Sequence, residues 1–236
     1  MADPAPAALA GPQLFSEHPV DRASEEEPFL NDAEQARASA MTDPRRRLSF
    51  VTARRLWRQG AHHFTTAHAL ELPAFSRLPA HGAITPVDAP FRSSLCHTDS
   101  LVLAGFNREA IGVDAEPLDR RPEWQRLARR WFAPAETEWL HTQPAPAAAF
   151  LTLWTLKEAW IKATGRGIAG NLQALAFNPE DEQLLVDQAG PEWRAATTAL
   201  HGHRISVLWQ GGAEPEWWHE TSLSQAHWHF PEVASR

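Results

Sequence analysis

The alternation of apolar and polar positions along this chain has two rhythms, one of helices and one of strands. Residues 29–41, FLNDAEQARASAM, read as a helix with Asn31 or Asp32 as its cap, and a second helix runs from about Pro44 to His62. Residues 71–92 hold four prolines and one glycine, so they read as loop with short extended pieces. LVLAGFN (101–107) and AIGVDAE (110–116) then read as two strands joined by a tight turn over 107–109. Helical segments follow at about 123–132 and 135–141. QPAPAA (143–148) interrupts the pattern before a long helix over about 148–164, which Gly165 and Gly167 end. Short strands over 172–177, 203–209 and 226–230 complete the chain. Helices precede strands twice, with a divide near Asn107–Ile111, which predicts an α+β fold in two halves of similar size. No internal sequence repeat is evident. The Ala/Pro-rich start predicts a disordered lead-in over 1–27, with an N-terminal half over 28–109 and a C-terminal half over 110–236.

Composition narrows the class. The chain of 236 residues is 43% hydrophobic and holds eleven Trp, enough for a sizeable core. Trp131, Trp139, Trp154 and Trp160 fall at helical spacings and are expected in it. A single cysteine, Cys96, excludes an internal disulfide, and that residue is expected as a small buried group. The N-terminus lacks a basic segment followed by a long apolar one, and no run of eighteen apolar residues occurs. The expectation is a cytoplasmic protein without a membrane partner. A net charge of −7 argues against a nucleic-acid partner. Yet six Arg crowd into residues 45–58 and five into 120–130, so local anion sites or an acidic partner patch compete with plain solvated helix faces.

Candidate chemistry centres on two segments. In GVDAE, Asp114 and Glu116 stand two apart on a strand and share a face. Two adjacent carboxylates repel unless a cation lies between them, and oxygen donors suit Mg²⁺. The bland alternative is a pair of exposed acids on an edge strand. In LWTLKEAWIKATGRG, the apolar arc of Phe150, Leu153, Trp154, Leu156, Trp160 and Ile161 contains Lys157 near its middle and Glu158 at its margin. Lys162 lies one turn after Glu158. These are the only lysines in a chain with twenty arginines. A surface ion pair is equally well made with Arg, whereas a compact ammonium suits a phosphate or a proton transfer. Glu158 is then a third metal carboxylate or a base. His97 and Thr98, in LCHTDS, are candidates to meet a phosphate or other ligand group. His227 and His229 alternate on a strand but suggest no third metal ligand.

GVDAE, then WTLKEAWIKATGRG some forty residues on, with LCHTDS upstream, together resemble the 4′-phosphopantetheinyl transferases of the long, surfactin-synthetase-activator type. The matched positions are Gly112, Asp114 and Glu116 of the strand, then Trp154, Lys157, Glu158, Ala159, Lys162, Gly165 and Gly167 of the helix and its end. The resemblance implies a fold of two α+β halves related by a pseudo-twofold axis in one chain, with a monomer as the natural state. It implies Mg²⁺-dependent transfer of the 4′-phosphopantetheine arm of coenzyme A to a serine of an apo carrier protein, releasing adenosine 3′,5′-bisphosphate. Mn²⁺ is a plausible substitute metal, and fatty-acid and secondary-metabolite carriers are the partner classes. Asp114, Glu116 and Glu158 would hold the metal, Glu158 would take the serine proton, and Lys157 and Lys162 would face the phosphates. His97, Thr98, Arg47 and Arg54 would contact coenzyme A. There are three departures: Cys96 replaces a serine and His81–Gly82–Ala83 lacks the family's lysine, both of which bear on the nucleotide end, and residues 211–236 match nothing. The alternatives are a pyrophosphate-cleaving enzyme using the same carboxylates and a non-catalytic binder of coenzyme A or a carrier.

Overall fold

The computed structural model describes residues 11–19, 29–75, 78–79, 84–86, 88–165, 172–173, 175–178, 183–186, 193–217 and 226–229. The chain separates into two compact units, one of residues 1–109 with 213–220 and the other of residues 110–212 with 221–236. No helix of the described residues is long and apolar enough to cross a membrane.

The first unit is built on a four-stranded sheet, in the order β2 (Arg92–His97), β3 (Val102–Asn107), β1 (Gln13–Glu17), β9 (Glu216–Trp217). The lead-in expected to be disordered over 1–27 therefore contributes a buried interior strand at Gln13–Glu17. β3 pairs with it along its whole length and β9 with Gln13 and Leu14, so QLFSE need not be strongly apolar to be held. Helix α1 (Asp32–Ser39) starts at a capping box in which Asn31 accepts from the Glu34 backbone and Glu34 accepts from that of Asn31. The long helix α2 (Pro44–Ala67) begins with Asp43 accepting from Arg45 and Arg46 and a proline in its first turn. It packs on β3 and β1 over a core of Trp57, Phe64, Phe91 and Phe106, none of them exposed. A glycine at position 60 lets β3 come close, since a Cβ there would fall 2.4 Å from the Phe106 ring.

The second unit has a six-stranded sheet in the order β4 (Ile111–Pro117), β8 (His203–Gln210), β7 (Trp193–Leu200), β10 (Ala226–His229), β6 (Gln183–Val186), β5 (Leu175–Asn178). Helices α3 (Trp124–Trp131), α4 (Pro134–Thr142) and α5 (Pro146–Thr164) accompany it, with α5 lying on β4 and β8. Gly165 ends α5 in the left-handed conformation at φ 67°, as expected, while Gly167 lies outside the described residues. Phe150, Leu153, Leu156 and Trp160 of the predicted arc form the core with Phe132, Leu208, Ala195 and Trp193. The architecture is a mixed α/β one, each unit a sheet with one long helix against it.

Candidate active site

The site begins with the close approach of α5 to β4. A Cβ on Gly112 would fall 1.8 Å from the Ala159 carbonyl oxygen, so only glycine allows the helix backbone this near. Gly112, Asp114 and Glu116 share the face of β4 that meets α5. Lys162, in the last turn of α5, donates to the Asp114 carboxylate at 2.7 Å and to the Val113 carbonyl at 3.1 Å. The other Asp114 oxygen, Oδ2, is buried and has no hydrogen-bond partner. Glu116 pairs with Arg120, four residues on.

The three carboxylates feel one another. Burial first, then the charges of Asp114 and Glu116, push the Glu158 carboxyl above the usual range, against the pull of Lys162. Burial likewise pushes Asp114 up, and the Lys162 ammonium opposes it. As they stand, no three His, Cys, Asp or Glu groups among the described residues are close enough together to coordinate one ion. Lys162 and Arg120 engage two of the carboxylates instead. The donor set nevertheless fits a hard divalent cation. It is all oxygen, it carries three negative charges, and it includes a buried carboxylate oxygen that nothing else satisfies.

Lys157 stands elsewhere. Its side chain is 1% exposed and pairs at 2.9 Å with Glu136 of α4, which is fully buried. Its ammonium also donates to the backbone carbonyls of Leu172 and Leu175 and lies 4.9 Å from the centre of the Phe132 ring. All three donors are used internally, so the expectation that Lys157 faces a phosphate is corrected: it ties α5 to α4 and to the entry of β5. Glu136, which also accepts from the Ala133 backbone at 2.7 Å, was not singled out from the sequence. Its signal there is only an acid early in a short helix.

The nucleotide candidates belong to the first unit. Arg54 is 4% exposed, pairs with the buried Glu34 at 3.5 Å and lies over the Phe50 ring at 4.9 Å. Arg58 engages the same carboxylate. Burial lowers the Arg54 guanidinium to about 10, with Glu34 opposing. Arg54 is thus a core cation, and its assignment to coenzyme A is corrected. Arg47 is exposed in the first turns of α2, and His97 is exposed at the end of β2. Ser49 of α2 donates to the Thr98 carbonyl at 3.0 Å, joining these two regions. The Thr98 hydroxyl accepts from the Ser100 and Leu101 backbones, so it closes a turn. Cys96 is buried, as expected. His81–Ala83 lie outside the described residues, and nothing is described of the His227 and His229 side chains.

Residues 110–222 match the family model of the 4′-phosphopantetheinyl transferase superfamily. That stretch is similar to the superfamily. HetI of Nostoc sp., a 4′-phosphopantetheinyl transferase, is 32% identical over 132 residues, which cover 53% of this chain and 55% of HetI. The 4′-phosphopantetheinyl transferase psf-1 of Bacillus pumilus is 35% identical over 86 residues, 36% of either chain. The chain thus matches about half the length of HetI and about a third of psf-1. The crystal structure of Thermotoga maritima holo-[acyl-carrier-protein] synthase is similar at a TM-score of 0.37 and 18% identity, covering 44% of this chain and 64% of that one. The superfamily match encloses all of Asp114, Glu116, Glu136, Glu158 and Lys162.

Proposed function

We propose that the protein transfers the 4′-phosphopantetheine group of coenzyme A to a serine of an apo carrier protein, releasing adenosine 3′,5′-bisphosphate. The observation that carries this reading is Asp114, with one oxygen on Lys162 and the other buried and unsatisfied, electrostatically coupled to Glu158. Asp114, Glu116 and Glu158 would hold Mg²⁺, or Mn²⁺ in its place. When bound, the cation supplies neutralising charge to the diphosphate oxygens.

The chain's own residues do the rest. Glu158, whose raised pKa makes it a better proton acceptor than an ordinary carboxylate, takes the serine proton. Lys162 moves from Asp114 to the leaving phosphate and stabilises the charge that develops there. Arg47 and His97 reach the nucleotide; their assignment rests on the resemblance of LCHTDS and of the Arg-rich helix. In this reading the two units are counterpart halves, with α2 and α5 as the matching long helices. The carrier docks on α3, where Arg126, Arg129 and Arg130 are exposed, so its apparent affinity falls as salt rises.

The test is intact-mass spectrometry of an apo acyl carrier protein incubated with this protein, coenzyme A and Mg²⁺. The expected result is a gain of one phosphopantetheine, abolished by EDTA and slowed by about a hundredfold or more in a folded Glu158→Gln variant. No gain with any of several carriers, while coenzyme A still binds, would replace the transferase by a binding protein.

A further inference from the structure

The register of β4 against β8 brings a residue to this site that no motif contains. In an antiparallel pair, residues directly opposite one another carry their side chains on the same face. Asp114 stands opposite Ser206, and Glu116 stands opposite Arg204. The Ser206 hydroxyl meets that of Thr155 of α5 at 2.7 Å, which fixes this face as the one beneath the helix. Arg204 therefore projects from the same face as Asp114 and Glu116, its Cα about 5 Å from that of Glu116.

Arg204 is half-buried, its Nε is buried without a hydrogen bond, and no described residue forms an ion pair with it. A cross-strand pair with Glu116 would be its ordinary use. Glu116 is instead held by Arg120, which follows on the turn after β4. A guanidinium taken partly out of water with no acid to meet is costly unless an anion arrives to meet it.

The charges around the site complete the argument. Asp114, Glu116 and Glu158 are three acids; Lys162, Arg120 and Arg204 are three bases. The set is balanced as it stands. With a divalent cation held by the carboxylates, Lys162 and Arg120 would be released from them and the set would carry an excess of two positive charges. A diphosphate diester carries about two negative charges at neutral pH, one on each phosphate. The cation and the diphosphate then restore the balance only together.

We propose that Arg204 and Arg120 are the guanidinium contacts to the diphosphate of the substrate, with Arg120 exchanging Glu116 for phosphate as the divalent cation binds. This rests on the transferase reading above. It adds two residues that the motifs do not name and makes metal and substrate binding interdependent.

The experiment is calorimetric titration of the full chain with coenzyme A and with inorganic pyrophosphate, each with and without Mg²⁺, alongside Mn²⁺ binding followed by electron paramagnetic resonance. Arg204→Gln is expected to bind coenzyme A and pyrophosphate about tenfold more weakly in the presence of Mg²⁺, with its affinity for Mn²⁺ alone unchanged. Arg204→Lys is expected to lose about threefold, since an ammonium keeps the charge without the planar fork. Arg120→Gln is expected to bind Mn²⁺ alone a few-fold more tightly, because its competitor for Glu116 is gone, and coenzyme A more weakly. Should Arg204→Gln fail to fold, the Lys variant and Arg120→Gln carry the test. Unchanged affinity for coenzyme A and pyrophosphate in the folded Arg204 variants would overturn the role of Arg204. Unchanged Mn²⁺ affinity in Arg120→Gln would overturn the exchange. Wild-type protein that binds neither ligand in Mg²⁺ would instead overturn the transferase reading itself.

Discussion

Lys157 and Lys162 lie five residues apart on α5 and meet a carboxylate each, yet they are opposite kinds of site. The Lys157–Glu136 pair is sealed, with side-chain exposures of 1% and 0%, and backbone carbonyls take the remaining donors. The Lys162–Asp114 pair is open, with exposures of 30% and 11%. The first arrangement has no lysine donor to spare for an incoming group. The second can exchange partners, because solvent and incoming ions reach the lysine. Residue type and motif membership do not separate the two; burial does.

The largest expected effect breaks the sealed member. Lys157→Met leaves the Glu136 carboxylate buried without its cation, which costs about 3–5 kcal/mol of unfolding free energy in urea titrations. Adding Glu136→Gln should recover most of that loss. A single variant as stable as wild type would show that the pair is not sealed in solution. Next comes the spacing that supports the open member. Gly112→Ala puts a methyl group against the Ala159 carbonyl, a backbone atom that cannot yield without moving α5. A stability loss of about 1–3 kcal/mol is expected, together with a lower affinity for Mg²⁺ as Lys162 and Glu158 shift from Asp114.

The smallest effect sharpens the electrostatics. The Glu158 pKa is raised in the folded state by burial, then by Asp114 and Glu116, despite Lys162. Its contribution to stability is therefore present below the unfolded value of about 4.3 and is lost as pH rises through the folded one. In EDTA, Glu158→Gln should melt higher than wild type at neutral pH, and the difference should close as pH falls towards 4. A difference that grows on acidification would reverse the sign and remove the claim that these carboxylates strain one another.

Much of this was legible in the sequence, for identifiable reasons. The α5 arc, β4 and the Gly165 stop are local patterns of period and punctuation, and they were read at nearly their observed bounds. The carboxylates of β4 and α5 were joined by resemblance, and the geometry brings Asp114 and Lys162 into contact. Lys157 misled because an ammonium within an apolar arc says nothing of which distant acid receives it; Glu136 lies on another helix. Strand β1 was missed since Gln13 and Ser16 look polar, though both are buried. Strand β7, WRAATTAL, carries small and hydroxylated residues in place of large apolar ones, so its alternation is faint. Arg204 reaches the site only through the pairing of β8 with β4, which no single segment encodes.

The strand at Gln13–Glu17 has a consequence for how this chain acquires its shape. Its partner on one side, β9, is about two hundred residues away in sequence. A ribosome therefore releases β1 long before it releases the strand that covers its second edge. Until then the emerging chain carries an open hydrogen-bonding edge beside the aromatic core of the first unit, a surface that invites pairing with another nascent chain. Closing so long a loop is slow rather than strongly unfavourable, because its entropy grows only with the logarithm of length. Yield on expression should accordingly depend on the rate of synthesis and on holdase chaperones more than on the equilibrium stability of the finished protein.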